Sequence, residues 1–275
     1  MEKKRGHKKI SLTSLLTYKP KTIPFDGRWF NLVGNPEASG SWIIWGQSGQ
    51  GKSRFAIQLT KYLALKGFKI AYVSLEEGRS ATLQKAFLET GVADCKQKIE
   101  VWYGTKKKDL YEELQKQRSA NVIIIDSLQY FRISYDSYID IIESFPNKLF
   151  IFISHAKEGN LPRGLTAERV MYNSAVKISV VGLAAYPTSR FGGRTPLTIW
   201  NEGKDAIKNS NMEIITKDEN NIIVDGQKLI ASNIGLLKDC QKCYLHNKCL
   251  ENKFPLVNCY TWSRSDNKNV IFIKK

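Results

Sequence analysis

The sequence predicts an α/β fold in which a mostly parallel β-sheet is flanked by helices on both faces. Between about residues 40 and 200, short apolar runs alternate with amphipathic segments, a pattern typical of strands joined by helical crossovers. The run Val122–Ile125 (VIII) contains only β-branched residues, which indicates a central strand covered on both faces. The chain has 275 residues, enough for one large core and a small additional module.

The predicted strands are apolar or alternating runs, and the predicted helices carry amphipathic or charged sequence. The strands are Ser41–Trp45, Lys69–Leu75, Glu100–Tyr103, Val122–Ile125, Leu149–Ser154 and Val176–Val181. The helices are Lys52–Lys66, Ser80–Thr90, Leu110–Arg118 and Tyr138–Glu143. In an open α/β sheet, ligands bind at the carboxyl ends of such strands.

Three segments are predicted along the chain. Residues 1–24 form a basic, flexible arm in which Pro20 and Pro24 break regular structure. Residues 25–205 form the α/β core. Residues 206–275 form a small β-rich and cysteine-rich module.

Within the C-terminal module, the texture becomes polar and turn-rich. The segments 213–216 and 221–225 are predicted to pair as a hairpin, and Asp225-Gly226 to form a further turn. The final run NVIFIKK is predicted to be the last strand.

Four cysteines crowd this module, namely Cys240, Cys243, Cys249 and Cys259. The C-x₂-C spacing of the first pair is the common first half of a tetrahedral zinc site. His246 could replace one thiolate, and an iron–sulfur cluster or free thiols are the alternatives. A structural zinc ion would stabilise a module too short to bury much apolar area alone.

The net charge is +16, from 42 Lys and Arg against 26 Asp and Glu. An excess of this size favours a polyanionic partner, with nucleic acid as the first choice and a solubilising surface as the alternative. No apolar run approaches the ~20 residues that a membrane span needs. The N-terminal sequence MEKKRGHKKI lacks the apolar region of a secretory signal. We therefore expect a cytoplasmic protein with no membrane partner.

The segment GQSGQGKS matches the pattern G-x-x-x-x-G-K-[ST] of a phosphate-binding loop, with an apolar strand before it and an amphipathic helix after it. Its backbone N–H groups are expected to cradle phosphate oxygens, together with the positive end of the helix. Lys52 would contact the β- and γ-phosphates, and the Ser53 hydroxyl would bind Mg²⁺. The cradle consists of Gly46, Gln47, Ser48, Gly49, Gln50 and Gly51.

Two acidic positions complete the predicted site. Asp126 directly follows Val122–Ile125, so its carboxylate lies at the carboxyl end of a buried strand and can help to hold Mg²⁺. Glu76 and Glu77 follow another strand, and hydrolysis needs a base that polarises water in line with the γ-phosphate. We prefer Glu76 for that base. The alternative is that both are solvated acids at the start of a loop.

Five motifs occur in the same order as in a known family: GQSGQGKS, YVSLEE, VIIIDS, FISHAKEGNLPRG and TSRFGG. Over roughly residues 40–200, the chain resembles the RecA-like branch of P-loop ATPases, with RadA recombination proteins and the core of DnaB helicases as the nearest forms. It also resembles short ATPases of phages and mobile elements. The resemblance implies ATP as the nucleotide and assembly into a ring or filament of identical subunits.

The resemblance implies roles for further residues. Glu76 falls where the family has its catalytic glutamate, and His155 where it has a residue that senses the γ-phosphate. The segment Lys157–Arg169 falls where the family has a mobile loop that touches single-stranded DNA. Arg190 falls on the arginine that reaches the nucleotide of a neighbouring subunit. Thr188 replaces the lysine that normally accompanies it, so one of the two cations is missing unless Arg194 substitutes, and we expect this departure to affect subunit-coupled hydrolysis.

The residues themselves also point to a polyanion near this loop. Lys157, Arg163, Arg169 and Lys177 follow one strand, with glycines among them, and such a basic loop suits contact with a phosphate backbone. An ordinary solvated loop is the alternative. Tyr130 and Phe131 could stack on bases or simply pack.

These observations support one main functional hypothesis, an ATP- and Mg²⁺-dependent ATPase that acts on single-stranded DNA in recombination, annealing or replication. A replicative helicase of DnaB type, or its loader, is an alternative within the same enzyme class. A nucleotide-gated regulatory scaffold that binds another protein is the alternative from a different class, and Thr188 favours it.

Overall fold

The computed structural model describes residues 9–200, and beyond them the backbone of four strands. These strands are Ile214–Thr216, Asn221–Val224, Gln227–Asn233 and Val270–Lys274. Most of the predicted C-terminal module, including its four clustered cysteines, lies outside the described residues.

The core is an α/β structure built on an eight-stranded sheet. Its strands are β1 (Gly40–Gly46), β2 (Ile70–Ser74), β3 (Ile99–Tyr103), β4 (Val122–Asp126), β5 (Leu149–His155), β6 (Val176–Val181), β7 (Ala184–Ser189) and β8 (Leu197–Thr198). Their order in the sheet is β3-β2-β4-β5-β1-β6-β7-β8. The first six strands of this order run parallel, whereas β7 pairs antiparallel with β6, and β8 with β7. The prediction of a mostly parallel sheet flanked by helices is confirmed.

Eight α-helices occur among the described residues. They are α1 (Leu12–Leu16), α2 (Gly27–Val33), α3 (Lys52–Leu65), α4 (Ala81–Thr90), α5 (Lys107–Gln115), α6 (Leu128–Phe131), α7 (Tyr135–Ser144) and α8 (Leu165–Asn173). The longest is α3, and no helix in the described part of the chain has the length and apolar character that a bilayer span requires.

Strand β1 shows why the sheet is buried on both faces. Trp42 and Ile44 point into the cluster that packs on α3 and α4, whereas Ile43 and Trp45 point into the cluster that packs on α5, α7 and α8. Successive side chains of a strand project to opposite faces, so a continuous apolar run fills two cores at once.

The crossovers fix the position of a crevice at one edge of the sheet. The connection from β1 through α3 to β2 runs toward one side of the sheet, and the connection from β5 through α8 to β6 runs toward the other. Because β1 and β5 are neighbours, their carboxyl ends border a topological switch point, where open α/β sheets bind ligands.

All six strands predicted for the core are present, but two predicted helices have different bounds. The helix expected over Leu110–Arg118 is α5, which begins and ends earlier. The Asp109 carboxylate accepts a hydrogen bond from the Lys106 N–H at its start, and Arg118 adopts a left-handed φ of 59° that a helix cannot contain. Helix α7 begins before Tyr138 because the Ser134 side chain caps the Ser137 N–H.

The backbone beyond the core forms a second, four-stranded antiparallel sheet with the order β12-β11-β10-β9. Its strands are β9 (Ile214–Thr216), β10 (Asn221–Val224), β11 (Gln227–Asn233) and β12 (Val270–Lys274). The predicted hairpin corresponds to β9 and β10, and the predicted last strand to β12. Strand β11, which pairs with both β10 and β12, was not predicted.

The N-terminal segment joins the core just before the predicted boundary at residue 25. Ile23 is fully buried, and its N–H donates to the Pro36 carbonyl oxygen at 2.8 Å. Upstream, the short helix α1 buries none of its residues, and Ile10 is 69% exposed. The packed part of the chain therefore includes Ile23.

We expect Ile23→Ala to lower the free energy of unfolding by about 2–4 kcal/mol, because it removes a fully buried side chain and leaves a cavity. Urea denaturation followed by circular dichroism would measure this. The matched control, Ile10→Ala at an exposed position, should change stability by less than about 0.5 kcal/mol. Equal effects of the two substitutions would contradict the assignment of Ile23 to the core.

Candidate functional site

A cleft of about 340 Å³ opens at the carboxyl edge of the sheet, beside the paired residues Gly46 of β1 and His155 of β5. It brings together residues from six separated parts of the sequence. The cleft is lined by Ser48, Gly49, Gly51, Lys52, Ser53, Arg54, Glu76, Glu77, Asp126, His155, Leu183 and Trp200. The predicted phosphate-binding loop, both predicted acids and His155 therefore meet at one site.

The shape of the phosphate-binding loop depends on two glycines. Gly51 precedes α3 with a φ of 94°, in the left-handed region that residues with a side chain rarely adopt. At Gly46, a Cβ would lie only 2.2 Å from the Val180 carbonyl oxygen of β6. The loop thus leaves β1 in close contact with β6 and turns sharply into the amino end of α3, where backbone N–H groups favour an anion.

Lys52 lies at the first turn of α3 and is largely buried, with 8% of its surface exposed. Its Nζ donates to the Gln47 carbonyl oxygen at 2.9 Å, across the loop. Burial lowers the pKa of the ammonium, and the Asp126 and Glu76 carboxylates partly offset this effect. A buried ammonium of this kind is stabilised by a further anion in the cleft, such as a phosphate group.

Asp126 and Ser53 are in direct polar contact within the cleft. The Ser53 hydroxyl donates to Asp126 Oδ2 at 3.0 Å, and the hydroxyl of Tyr72 donates to the same oxygen at 2.7 Å. A hydroxyl and a carboxylate at this separation can share one Mg²⁺ ion. The predicted pair of Mg²⁺ ligands is therefore in a geometry that fits the ion.

The electrostatics of Asp126 also fit a bound cation. Only 7% of its surface is exposed, and burial raises the pKa of its carboxyl group. The hydrogen bonds from Tyr72 and Ser53 act in the opposite direction. Because a buried carboxylate is costly without compensating charge, a divalent ion at this position would stabilise its ionised form.

Glu76 and Glu77 differ in what holds their carboxylates. Glu76 Oε2 lies 3.0 Å from His155 Nε2, so the two residues form a pair at the mouth of the cleft. Glu77 Oε2 instead accepts hydrogen bonds from the Thr82 hydroxyl at 2.6 Å and the Ser80 hydroxyl at 3.1 Å, at the start of α4. This difference favours Glu76 as the residue that acts on a reacting water.

Gln129 fixes the end of β5 and links it to the following loop. Its side-chain oxygen accepts from the His155 N–H at 3.2 Å, and its amide donates to the Ser154 hydroxyl at 2.8 Å. The same amide donates to the Arg163 carbonyl oxygen at 2.8 Å, while the Arg163 N–H donates to the His155 carbonyl oxygen at 2.7 Å. His155 and Arg163 are thus joined by two routes.

The loop after β5 is also fastened to the sheet. The Trp45 indole N–H donates to the Asn160 carbonyl oxygen at 2.8 Å, and the Asn160 amide donates to the Ser179 hydroxyl of β6 at 2.8 Å. An isolated bridge between Ala156 and Pro162 closes the loop on itself. The segment predicted as a loop over 157–169 therefore begins as a closed turn and continues as helix α8.

The four cations predicted to touch nucleic acid do not form a single cluster. Lys157 pairs with Glu168 at 2.6 Å, and the Arg169 guanidinium lies on α8 over the Tyr135 ring at 5.7 Å. Arg163 is exposed in the loop. Lys177 lies within β6, opposite Thr188 of β7, and not in the loop.

Of the two aromatic residues after Asp126, Phe131 packs in the core with 8% exposure, whereas Tyr130 is 48% exposed. The sequence left open whether these two rings stack on bases or pack in the core, and the two residues differ in this respect. Phe131 packs, and Tyr130 is accessible to a ligand.

Arg190 lies at the amino ends of the parallel strands, whereas the cleft lies at their carboxyl ends. Its N–H donates to the Ala175 carbonyl oxygen, just before β6 begins, and it does not line the cleft. Burial lowers the pKa of Lys177, and the charge of Arg190 lowers it further. Arg190 therefore lies away from the cleft of its own chain, and Lys177 provides a second positive charge beside it.

Several residues of the site were missed by sequence reasoning. Tyr72 was assigned only to a strand. Its side chain lies on the same face as that of Ser74, which pairs with Asp126 at the strand end, so the sequence did contain a signal that Tyr72 is near the site. Gln129 carries no recognisable pattern, because its partners are distant in sequence. Gln50 was predicted as part of the cradle, but its side-chain bond to Gly182 was not. Leu183 and Trp200 lie outside every predicted motif, on either side of TSRFGG.

No metal-binding cluster of three or more His, Cys, Asp or Glu side chains is found within the described residues. The predicted zinc ligands, which are Cys240, Cys243, Cys249 and Cys259, lie outside that part of the chain.

Comparison with family models finds no match, and no curated protein matches the sequence. Among solved structures, the chain is similar to a KaiC-like protein from the hyperthermophilic archaeon Pyrococcus horikoshii, with 16% identity, a TM-score of 0.42, and coverage of 72% of this chain and 87% of that chain. It is also similar to the ATPase domain of a protein named G40P, with 10% identity, a TM-score of 0.44, and coverage of 61% and 83%.

A third similar structure is the ATP synthase subunit NeqB from Nanoarcheaum equitans, with 11% identity, a TM-score of 0.45, and coverage of 58% of this chain and 50% of that chain. At these identities and TM-scores, the three likenesses do not assign an activity to this chain.

We expect Tyr72→Phe to raise the Mg²⁺ concentration needed for ATP binding by about tenfold or more, because loss of a partner of a metal ligand typically costs 10–100-fold in affinity. Calorimetric titration of ATP at a series of Mg²⁺ concentrations would measure this. The control is Tyr138→Phe, another fully buried tyrosine, whose hydroxyl bonds Ser41 and Asn173 outside the cleft. A similar Mg²⁺ requirement in both variants would show that the Tyr72 hydroxyl does not support the ion.

Proposed function

We propose that this chain is a RecA-like, Mg²⁺-dependent ATPase that acts on single-stranded DNA in recombination, annealing or replication, as an assembly of identical subunits. One observation supports the ATPase assignment above all others. The Ser53–Asp126 pair and the Glu76–His155 pair lie in one cleft together with the lysine of a complete phosphate-binding loop.

Each of these side chains has a task in hydrolysis that its position permits. When bound, Mg²⁺ would neutralise phosphate charge and orient the phosphate groups. Lys52 would stabilise the negative charge of the transferring phosphoryl group. Glu76 would accept a proton from the attacking water, and His155, which contacts it, would hold the Glu76 carboxylate in position.

The hydrogen bonds around His155 support coupling between nucleotide and nucleic acid. His155 touches Glu76 through its ring and Arg163 through its backbone, and Gln129 bonds both residues. A change in the position of the Glu76 carboxylate would therefore be transmitted to Arg163 through a continuous chain of contacts. Arg163 is exposed and positively charged, as a phosphate-backbone contact requires.

Two further features support nucleic acid as the partner. The net charge of +16 favours a polyanion, and Tyr130 on α6 presents a half-exposed ring next to Gln129. Aromatic rings that stack on unpaired bases are typical of sites for single strands. To contact a nucleic acid, Lys157 would have to leave Glu168, and Arg169 would have to leave the ring of Tyr135.

The position of Arg190 supports assembly into an oligomer. Since Arg190 lies at the far edge of the sheet from its own cleft, it can act on a nucleotide only if a second subunit brings its cleft to that edge. Lys177, across from Thr188, would supply the second cation in such a contact. A site completed between subunits would link hydrolysis to their arrangement.

Glu76→Gln should lower the rate of ATP hydrolysis by about 10²–10⁴-fold with ATP binding retained, because a general base contributes that much. A phosphate-release assay and calorimetry on the same samples would show this. Glu77→Gln is the matched control and should remain near the wild-type rate, since Ser80 and Thr82 hold its carboxylate. The opposite order of the two variants would transfer the role of base to Glu77.

Single-stranded DNA should stimulate ATP hydrolysis, and duplex DNA and RNA should do so less. Arg163→Gln should weaken binding to single strands and reduce the slope of log affinity against log salt by about 0.7 per lost contact. Fluorescence anisotropy would measure both, and mass photometry with ATP would count subunits in the same samples.

The control for Arg163 is Lys116→Gln, an exposed residue after α5 at the other edge of the sheet. This variant should bind single strands like the wild type. Hydrolysis that ignores every nucleic acid would contradict the DNA-related part of the proposal and would favour a nucleotide-gated regulatory protein, for which Thr188 is the supporting observation.

A further inference from the structure

We propose that Trp200 forms the binding surface for the nucleobase of the bound nucleotide, a purine such as adenine, with Leu183 and Arg54 beside it. The inference deepens the proposed function and rests on it. None of these three residues belongs to the phosphate-binding motif or to the predicted acidic positions, yet all three line the cleft.

The direction in which the nucleotide lies follows from the residues already described. Glu76 and His155 mark the place of the reacting γ-phosphate, and Lys52 and Ser53 lie at the amino end of α3. The remaining lining residues with apolar or aromatic side chains are Leu183 and Trp200. The nucleoside, which is the apolar end of the molecule, therefore points toward Trp200.

The segment that carries Trp200 is held firmly against the phosphate-binding loop. The Ile199 N–H donates to the Leu183 carbonyl oxygen at 2.8 Å, and the Gln58 amide of α3 donates to the Ile199 carbonyl oxygen at 2.9 Å. A Cβ at Gly51 would lie 3.0 Å from Leu183 Cδ2 and 3.7 Å from Ile199. Hence the residue next to Trp200 packs directly on the loop that would hold the phosphates.

The turn between β6 and β7 completes this wall. Gly182 and Leu183 both have positive φ, of 55° and 58°, as a tight hairpin turn requires. The Gln50 side-chain oxygen accepts the Gly182 N–H at 2.5 Å, which ties the turn to the phosphate-binding loop. Leu183 is thereby fixed beside the cleft with 6% exposure.

Arg54 orients the indole ring. It follows Ser53 in the first turn of α3, and its guanidinium carbon lies 4.6 Å from the centre of the Trp200 ring. The Glu89 carboxylate of α4 holds the same guanidinium at 3.2 Å. Arg54 thus lies over one face of the ring, and Trp200 keeps 39% of its surface exposed while lining the cleft. An aromatic ring held in this way is suited to stack on a base.

The test compares binding of Mg²⁺-ATP with binding of Mg²⁺ and inorganic triphosphate, which has no base, by calorimetry on the full chain. Trp200→Ala should weaken ATP binding by about 5- to 100-fold, the range of one base–aromatic stacking contact. It should leave inorganic triphosphate binding unchanged. Trp200→Phe, which keeps an aromatic ring, should restore most of the ATP affinity.

A second readout uses tryptophan fluorescence. ATP should quench the emission of wild-type protein and of Trp102→Phe, a variant at the edge strand β3 outside the cleft. The quenching should be lost in Trp200→Phe although that variant still binds ATP.

Three results would contradict either the role of Trp200 or the proposed function on which it rests, and each result identifies a different error. Unchanged ATP affinity in Trp200→Ala would remove the base contact and leave the proposed ATPase intact. An equal loss of ATP and triphosphate binding would show that Trp200 only supports the fold of the loop. Wild-type protein that binds neither ligand would overturn the proposed function itself.

Discussion

The buried carboxylate of Asp126 is the group on which the site depends. Asp126 is the last residue of β4, a strand that is buried throughout. Ser53 and Tyr72 donate hydrogen bonds to its carboxylate, and the charge of Lys52 acts on the same group. Burial raises the pKa of Asp126, so its ionised form is costly unless donors and cations surround it. The Ser53 hydroxyl of α3 and the Tyr72 hydroxyl of β2 both donate to Asp126 Oδ2. These two hydrogen bonds join α3, β2 and β4 at the carboxyl ends of the strands.

The topology explains why one edge of the sheet carries so much chemistry. Crossovers from β1 and β5 leave in opposite directions, so neither covers the space between their ends. Gly46 and His155 face each other across that space. The phosphate-binding loop and the Glu76–His155 pair therefore come within one cleft, although the residues concerned are separated by more than a hundred positions in the sequence.

Sequence reasoning recovered the parts of the structure that local patterns encode. The strands of the parallel sheet were found because they are apolar or alternating runs. Lys52, Ser53 and Asp126 were found because the chemistry of phosphate binding restricts residue type and spacing. The wall of the cleft could not be found in this way. Tyr72 and Gln129 act through partners on other strands, and the contact between Arg54 and Trp200 depends on how the last part of the core folds back on α3.

Local reasoning also failed where a single residue decides the end of an element. The extended backbone of Lys116, with a ψ of 147°, ends helix α5, which its charged sequence would otherwise extend, and the left-handed Arg118 follows. Lys177 was grouped with the cations of the loop, although it lies within the predicted strand Val176–Val181, which pairs with β7.

The attachment of Asn160 has a mechanical consequence for the loop after β5. Through Trp45 and Ser179, this one residue is anchored to two strands of the sheet, so the first half of the loop cannot move independently of them. The second half is tied to His155 and Gln129 through the backbone of Arg163. A shift of His155 relative to β1 and β6 would therefore have to be taken up by residues 161 and 162, which lie between the two points of attachment.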